Sequence, residues 1–155
     1  MLFYTTSTFR LTFAALTKKS KDGYSSVGTD ICNVLLDMPD NILRDTNDRI
    51  RHFAEYRMVK LRLPNSGQHL SKNNGFRLIY WVSTKNDVAV LLRIYPKRGS
   101  QSAVDLTEAE YDRLLLEMVN ESKAGLLHQV DIANGLTELS QNDCLPGDKQ
   151  DKITE

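Results

Sequence analysis

Nine basic side chains fall between residues 57 and 98 of this 155-residue chain, against a single acidic one, Asp87. The segment after residue 98 is the reverse, with four basic and twelve acidic residues, so that the formal net charge is zero. A block of one charge indicates a surface that binds a polyanion, which the acidic segment could screen. The nine residues are Arg57, Lys60, Arg62, Lys72, Arg77, Lys85, Arg93, Lys97 and Arg98.

The alternative to polyanion binding is a sheet edge on which charged residues prevent aggregation. Lys60 and Arg62 alternate with apolar residues, and Arg77 and Arg93 lie inside apolar runs. Alternate residues of a strand face the same side of a sheet, so these side chains would project from a face. Arginine inside apolar strands therefore favours the binding surface.

Other kinds of chemistry lack their signatures in this sequence. The GxGxxG, P-loop, HExxH and GxSxG motifs are absent, and the three histidines have no metal-ligand spacing, so we expect neither metal nor cofactor. Cys32 and Cys144 lie far apart, as in a reduced, cytoplasmic protein. No apolar run approaches the roughly 18 residues of a membrane span. Residues 1–4 lack the basic region and the long apolar stretch of a signal peptide, so we expect none.

The first third of the chain predicts a strand and two helices. Residues 2–4 form a short strand candidate, and Ser7 or Thr8 can cap a helix with apolar residues at helical spacing. A second helix begins after Ser26 and ends at Pro39. Residues 40–56 are mixed, and we expect a loop followed by a helical turn that packs on the sheet.

The pattern then changes to strands. Residues 58–63, 76–83 and 88–95 predict three strands in an antiparallel sheet, with a long polar connection after the first. The third is nearly all apolar, which is typical of a central strand covered on both faces. Thr107 begins a capping box that opens the most distinct helix of the sequence.

These elements predict an α+β domain with the order β-α-α-β-β-β-α, in which the helices fold onto one face of a small antiparallel sheet. We expect this domain to cover residues 1–121. A weaker helical period over residues 122–140 predicts an added helix, and residues 141–155 a polar tail.

Three segments, in this order, resemble the core of the RelE/ParE superfamily of type II toxins. They are KLR at 60–62, GFRLIYW at 75–81 and VLLRIYPKR at 90–98, followed by the capped helix. The resemblance covers about residues 57–120. It implies the toxin of a toxin–antitoxin system, a metal-independent endoribonuclease that cleaves messenger RNA on translating ribosomes, with a cognate antitoxin as its partner.

Two other functions on the same scaffold stay open. One is a ParE-like inhibitor that binds DNA gyrase and cleaves nothing. The other is a non-catalytic module that binds RNA or protein, with its basic site occupied by the acidic tail of the chain.

Cleavage of RNA without a metal needs a base for the 2′-hydroxyl proton, stabilisation of the phosphorane and protonation of the departing 5′-oxygen. By this resemblance Lys60, crowded by Arg62 and Arg77, would be the base, and Arg77 would grip the phosphate. The end of the last strand would hold the leaving group. The expected catalytic residues are Lys60, Arg62, Arg77 and Arg98, and the expected RNA-binding residues are Arg57, Lys72 and Lys97.

Two positions depart from the family pattern. Met58 stands where many relatives have a second lysine, and no tyrosine follows the final basic pair closely. The general acid is therefore unassigned, with His69 in the long loop as a substitute. For Tyr80, Trp81 and Tyr95 core packing is favoured over stacking on a base. Arg93 either faces the site or pairs with an acid.

Overall fold

The computed structural model describes residues 1–19, 22–46, 49–99, 102 and 105–139. These residues form one mixed, mostly antiparallel sheet with helices packed on it, an α+β arrangement. The strands are β1 (Leu2–Thr5), β2 (Arg49–His52), β3 (Tyr56–Leu63), β4 (Phe76–Ser83), β5 (Val88–Pro96), β6 (His128–Asp131) and β7 (Thr137–Glu138). The helices are α1 (Ser7–Lys18), α2 (Val27–Asp37), α3 (Asp40–Arg44) and α4 (Glu108–Ala124).

The sheet has the strand order β2-β3-β4-β5-β1-β6-β7. The three predicted strands lie side by side as β3, β4 and β5, in antiparallel register, so this prediction is confirmed. β1 joins the other side of β5 in parallel, and β6 then pairs antiparallel with β1. The N-terminal strand therefore lies inside the sheet and not at its edge.

On one side, which we call the first face, the sheet packs against α1, α2 and α3. The N-cap of α1 is Thr6, whose side chain accepts a hydrogen bond from the Phe9 amide, one residue before the predicted caps. Fully burying a large apolar side chain contributes roughly 1.5–3 kcal/mol, so this face is the main source of stability. The sheet contributes to it Val59, Leu61, Leu63, Phe76, Leu78, Tyr80, Val82, Ala89, Leu91 and Ile94.

The opposite side, the second face, packs against α4. The predicted capping box is present, because the Thr107 side chain accepts from the Glu110 amide and the Glu110 carboxylate accepts from the Thr107 amide. The helix buries Tyr111, Leu114 and Met118. The strands bury against them Met58, Ile79, Trp81, Val88, Val90, Leu92 and Tyr95.

The prediction that the helices cover one face is therefore wrong. All eight residues of β4 are buried, and so are eight of the nine residues of β5, which have apolar side chains on both sides. Two layers of helices are needed to keep both sides from water. The expectation that the third predicted strand is covered on both faces is confirmed.

The added helix predicted over residues 122–140 is also wrong. α4 ends at Ala124, and Gly125 takes the left-handed conformation, φ 70°, which terminates a helix. The chain then forms β6, a short 3₁₀ turn at Ile132–Asn134, and β7. β6 pairs with β1, so hydrogen bonds to the far end of the chain outweigh a weak helical period. The predicted polar tail lies outside the described residues.

Residues 40–56 differ from the expectation as well. The segment predicted as a loop contains α3, whose Ile42 and Leu43 amides donate to the Pro39 carbonyl. The segment predicted as a helical turn contains β2, which pairs with β3. The pairing partner of β2 is β3, which follows it closely in sequence. The apolar spacing over residues 50–56 fitted a helix equally well. Among the described residues, no helix has the length and the apolar character needed to cross a bilayer.

Candidate nucleic-acid interface

The register of β3 and β4 brings three of the predicted site residues together. Lys60 and Arg62 share one side of β3, the second face, because the side chains between them are buried on the first. Across the ladder Arg62 lies opposite Arg77, and Lys60 lies opposite Ile79. The basic residues therefore occupy one end of the second face, beyond the apolar residues that α4 covers.

A bulge in β5 adds Arg93 to this group. Ile79 pairs with Arg93, whereas the next residue, Tyr80, pairs with Leu91, so that β5 has one residue more than β4. A bulge of this kind turns two successive side chains towards the same side. Arg93 thus faces the second side, next to Ile79. We call Lys60, Arg62, Arg77 and Arg93 the basic face.

Lys60 donates a hydrogen bond to a carboxylate that sequence reasoning did not assign to the site. Its Nζ lies 3.1 Å from Oδ1 of Asp105, in the segment that leads into α4. This hydrogen bond, and then the charge of Lys60, lowers the pKa of Asp105, and the charges of Lys97 and Arg77 act in the same direction. Lys60 could therefore reach a 2′-hydroxyl group only after Asp105 has moved away.

Arg77 does not have the exposed guanidinium that the prediction required. It is 8% exposed, and its guanidinium donates to the backbone carbonyls of Lys72, Asn73 and Phe76 at 2.9, 2.9 and 3.1 Å. Three charge-assisted hydrogen bonds fix the arginine to the β3–β4 connection. In this structure Arg77 positions a loop, and its contact with a phosphate stays a prediction.

The same loop holds two of the other arginines. Arg62 donates to Oδ1 of Asn73 at 3.0 Å, and Arg98 donates twice to Oδ1 of Asn74, at 3.0 and 2.8 Å. Both side chains are exposed, at the rim of the basic face.

Gly75, at the start of the predicted Gly-Phe-Arg segment, has a steric role. A Cβ there would lie 2.1 Å from the Leu63 carbonyl oxygen, so the two ends of the connection can approach only with glycine. The Gly75 carbonyl accepts from the Lys97 amide at 2.8 Å. Lys97 and Lys72 are exposed at this end of the sheet, as their predicted RNA-binding role requires.

Arg57 is not brought to the other predicted residues. It pairs with Val82, a residue of the first face, and lies beside α3 residues at the far end of the strands. Its guanidinium donates to the carbonyls of Phe53 and Tyr56. Since alternate residues of β3 face opposite sides, an odd-numbered residue there cannot join Lys60 and Arg62. His69 is exposed and left-handed, φ 55°, in the β3–β4 connection.

The three aromatic residues pack in the core, the interpretation that the sequence favoured. Tyr80 is fully buried and donates to the Leu43 carbonyl at 2.8 Å, and Trp81 stacks on Tyr56 at 5.9 Å between ring centroids. Tyr95 is 4% exposed, and its hydroxyl has no hydrogen-bond partner among the described residues. Burial, and then the nearby Tyr111 and Asp105, raises the pKa of Tyr95 to about 12.

Acidic residues at the start of α4 form ion pairs with Arg51, which is not part of the basic face. Arg51 on β2 contacts the carboxylates of Glu108 and Asp112, each at 2.8 Å. The acidic segment therefore touches the basic region at Lys60 and Arg51, which agrees with the expectation that it could screen positive charge. The described residues contain no cluster of three or more His, Cys, Asp or Glu side chains suited to a metal ion.

Comparisons of the chain with protein-family models, with curated proteins and with solved structures find no match.

Proposed function

We propose that this protein is a RelE/ParE-like toxin that binds single-stranded messenger RNA on the basic face and cleaves it without a metal. The observation that supports this proposal is the placement of Lys60, Arg62, Arg77 and Arg93 on one face of three adjacent strands. A sheet face with several cations and little competing acid attracts a phosphate backbone. The proposed partners are the messenger RNA, the ribosome that presents it and an antitoxin that masks the face between episodes of activity.

The proposed reaction is attack of the RNA 2′-oxygen on the adjacent phosphorus, which forms the P–O2′ bond and breaks the P–O5′ bond. The products are a 2′,3′-cyclic phosphate and a 5′-hydroxyl. Lys60, released from Asp105, would take the 2′-hydroxyl proton, and Arg62 would stabilise the phosphorane. Arg98 and Lys97 at the rim would hold the neighbouring phosphate. The donor of the 5′-proton is left unassigned.

The test uses labelled single-stranded RNA, with and without purified ribosomes, in the presence of a chelator. We expect fragments that end in a 2′,3′-cyclic phosphate. The double substitution Lys60→Ala and Arg62→Ala should slow cleavage by about 100-fold or more, because it removes both the base and a phosphorane contact. The matched control is Lys85→Ala, which removes a cation from the exposed β4–β5 turn and should leave the rate unchanged.

A wild-type protein that neither binds nor cuts RNA would overturn the proposal. If the same preparation then trapped cleaved DNA complexes with gyrase, the ParE-like function would replace it.

A second function, RNA binding without cleavage, is supported by a specific observation. Lys60 is engaged with Asp105 and Arg77 with backbone carbonyls, so the two residues expected to do the chemistry are both occupied. Under this function the wild type binds RNA, and no cyclic-phosphate fragments form even with ribosomes. The cleavage assay therefore separates the two candidates.

A further inference from the structure

Arg93 differs from the other cations of the basic face in what its guanidinium contacts. Lys60 is bonded to Asp105, Arg62 to Asn73, and Arg77 to backbone carbonyls. Within the part of the chain that the structure describes, Arg93 has no hydrogen bond and no ion pair, and its Nε is buried without a partner. The sequence left two alternatives open for Arg93, facing the site or pairing with an acid. Among the described residues it does not pair with an acid.

The surroundings of Arg93 hold it in place without using its donors. Its guanidinium carbon lies 5.9 Å from the centroid of the Tyr95 ring, in cation–π range. The Tyr95 hydroxyl is a second buried polar group without a partner among the described residues. Leaving a buried donor unsatisfied costs free energy, so two such groups at neighbouring positions indicate a site that a ligand completes.

The ladder sets the distance between Arg93 and Lys60. Both flank Ile79, Lys60 on the β3 side and Arg93 on the β5 side. Two strand spacings separate their Cα atoms by roughly 9–10 Å. Long side chains that lean inward from that separation can contact one linkage of the RNA backbone.

We propose that Arg93 and Lys60 bind one linkage of RNA across Ile79, with Arg93 as the guanidinium ligand of its phosphate, Lys60 beside its 2′-oxygen, and Arg77 as a positioning residue for the β3–β4 connection. This inference rests on the proposed function. It assigns the phosphate contact to Arg93, which was not among the predicted site residues, instead of to Arg77. The RNA takes the place of the Asp105 carboxylate, which lies 3.1 Å from the Lys60 Nζ.

The experiment measures binding of a labelled 2′-O-methyl single-stranded RNA, which has the phosphates but cannot be cut. Dissociation constants are determined over a range of salt concentrations for the wild type, Arg93→Ala, Arg93→Gln, Arg93→Lys and Lys85→Ala. Lys85 lies about 17 Å or more along the strand from Arg93, beyond the screening length of physiological salt. It is the matched loss of one positive charge.

We expect Arg93→Ala and Arg93→Gln to weaken binding about tenfold or more, and to lower the slope of log K against log salt by about 0.7, the loss of one phosphate contact. Lys85→Ala should change neither quantity. Arg93→Lys should retain the slope, since it retains the charge. A merely structural role for Arg93 would change the affinity without changing the slope.

Thermal unfolding distinguishes the structural role of Arg77 from the binding role proposed for Arg93. Arg77→Ala removes three hydrogen bonds to the connection and should lower the Tm by about 5 °C or more, whereas Arg93→Gln should leave it near the wild-type value. Wild-type affinity and slope in both Arg93→Ala and Arg93→Gln, with RNA binding intact in the wild type, would overturn this inference alone. Absence of RNA binding by the wild type would overturn the proposed function itself.

Discussion

The two faces of the sheet are built from the same strands but treat polar groups differently. On the first face the apolar core runs the length of β3, β4 and β5, and the buried Tyr80 hydroxyl is bonded to the Leu43 carbonyl. On the second face the core under α4 gives way to the basic face, where the Tyr95 hydroxyl and the Arg93 Nε are buried without partners among the described residues.

This difference shows how one sheet can separate stability from binding. Three helices and a continuous core on the first face hold the strands in register, so the second face can tolerate closely spaced cations. A buried donor without a partner among the described residues also occurs outside the basic face, at the Arg57 Nε. Closely spaced cations cost stability and are retained where a ligand can use them. The comparison makes four predictions that can break or sharpen it.

The largest effects should come from two successive residues of β5. Leu91 belongs to the first core and Leu92 to the second, and each is fully buried. Leu91→Ala and Leu92→Ala should each lower the free energy of unfolding by about 2–5 kcal/mol, measured by urea denaturation. Leu116→Ala, at a site 60% exposed on α4, is the control and should change it by about 0.5 kcal/mol or less.

A small effect of Leu92→Ala beside a large effect of Leu91→Ala would contradict this comparison, because it would mean that α4 adds little to the core.

A smaller contrast is expected between two tyrosines. Tyr80→Phe should cost about 1–3 kcal/mol, since it leaves the buried Leu43 carbonyl without its donor. Tyr95→Phe should cost nearly nothing, because its hydroxyl has no partner to lose within the described residues. Urea denaturation at neutral pH measures both. Equal losses would show that the Tyr95 hydroxyl is satisfied in solution.

The same tyrosine predicts a dependence on alkaline pH. Burial raises the pKa of folded Tyr95 to about 12, above the ordinary value of 10.0. The folded state therefore keeps this proton more tightly, and the resulting stability is complete below pH 10 and is lost as the pH rises through about 12. Tyr95→Phe should remove this part of the alkaline loss, which denaturation over that range would detect.

The smallest effect should come from Asp105. Lys60 lowers the pKa of this exposed carboxyl below 3.8, so the pair adds stability above that pH and loses it as the pH falls through the lowered value. Asp105→Asn should cost below about 1 kcal/mol at neutral pH, less at high salt, and nothing in acid. It should also tighten RNA binding, because an anion leaves the site. Weaker binding by the variant would contradict the proposed competition.

Local patterns predicted the elements that depend on local interactions. The strands at β3, β4 and β5, the helix α2 and the capping box at Thr107 follow from alternation, helical spacing and side-chain caps, and they were predicted from the sequence. The structure of the segment 122–140 was not predicted correctly. Its helical spacing competes with hydrogen bonds between β6 and β1, which lie more than a hundred residues apart in the chain. Local spacing contains no information about such a partner.

For the candidate site, the sequence by itself determined that Lys60 and Arg62 share a face, since side chains two apart on a strand point the same way. The register of β3 and β4 in the structure adds Arg77 to that face. Only the tertiary structure decided which cations are available there. A one-residue bulge turns Arg93 onto the face, loop carbonyls occupy Arg77, and Asp105 reaches Lys60 from the segment before α4. The Asp105 contact joins residues 45 apart in the chain, which residue spacing cannot encode. The bulge and the loop carbonyls are closer in sequence, but they depend on the exact backbone path, which alternation of side chains does not specify.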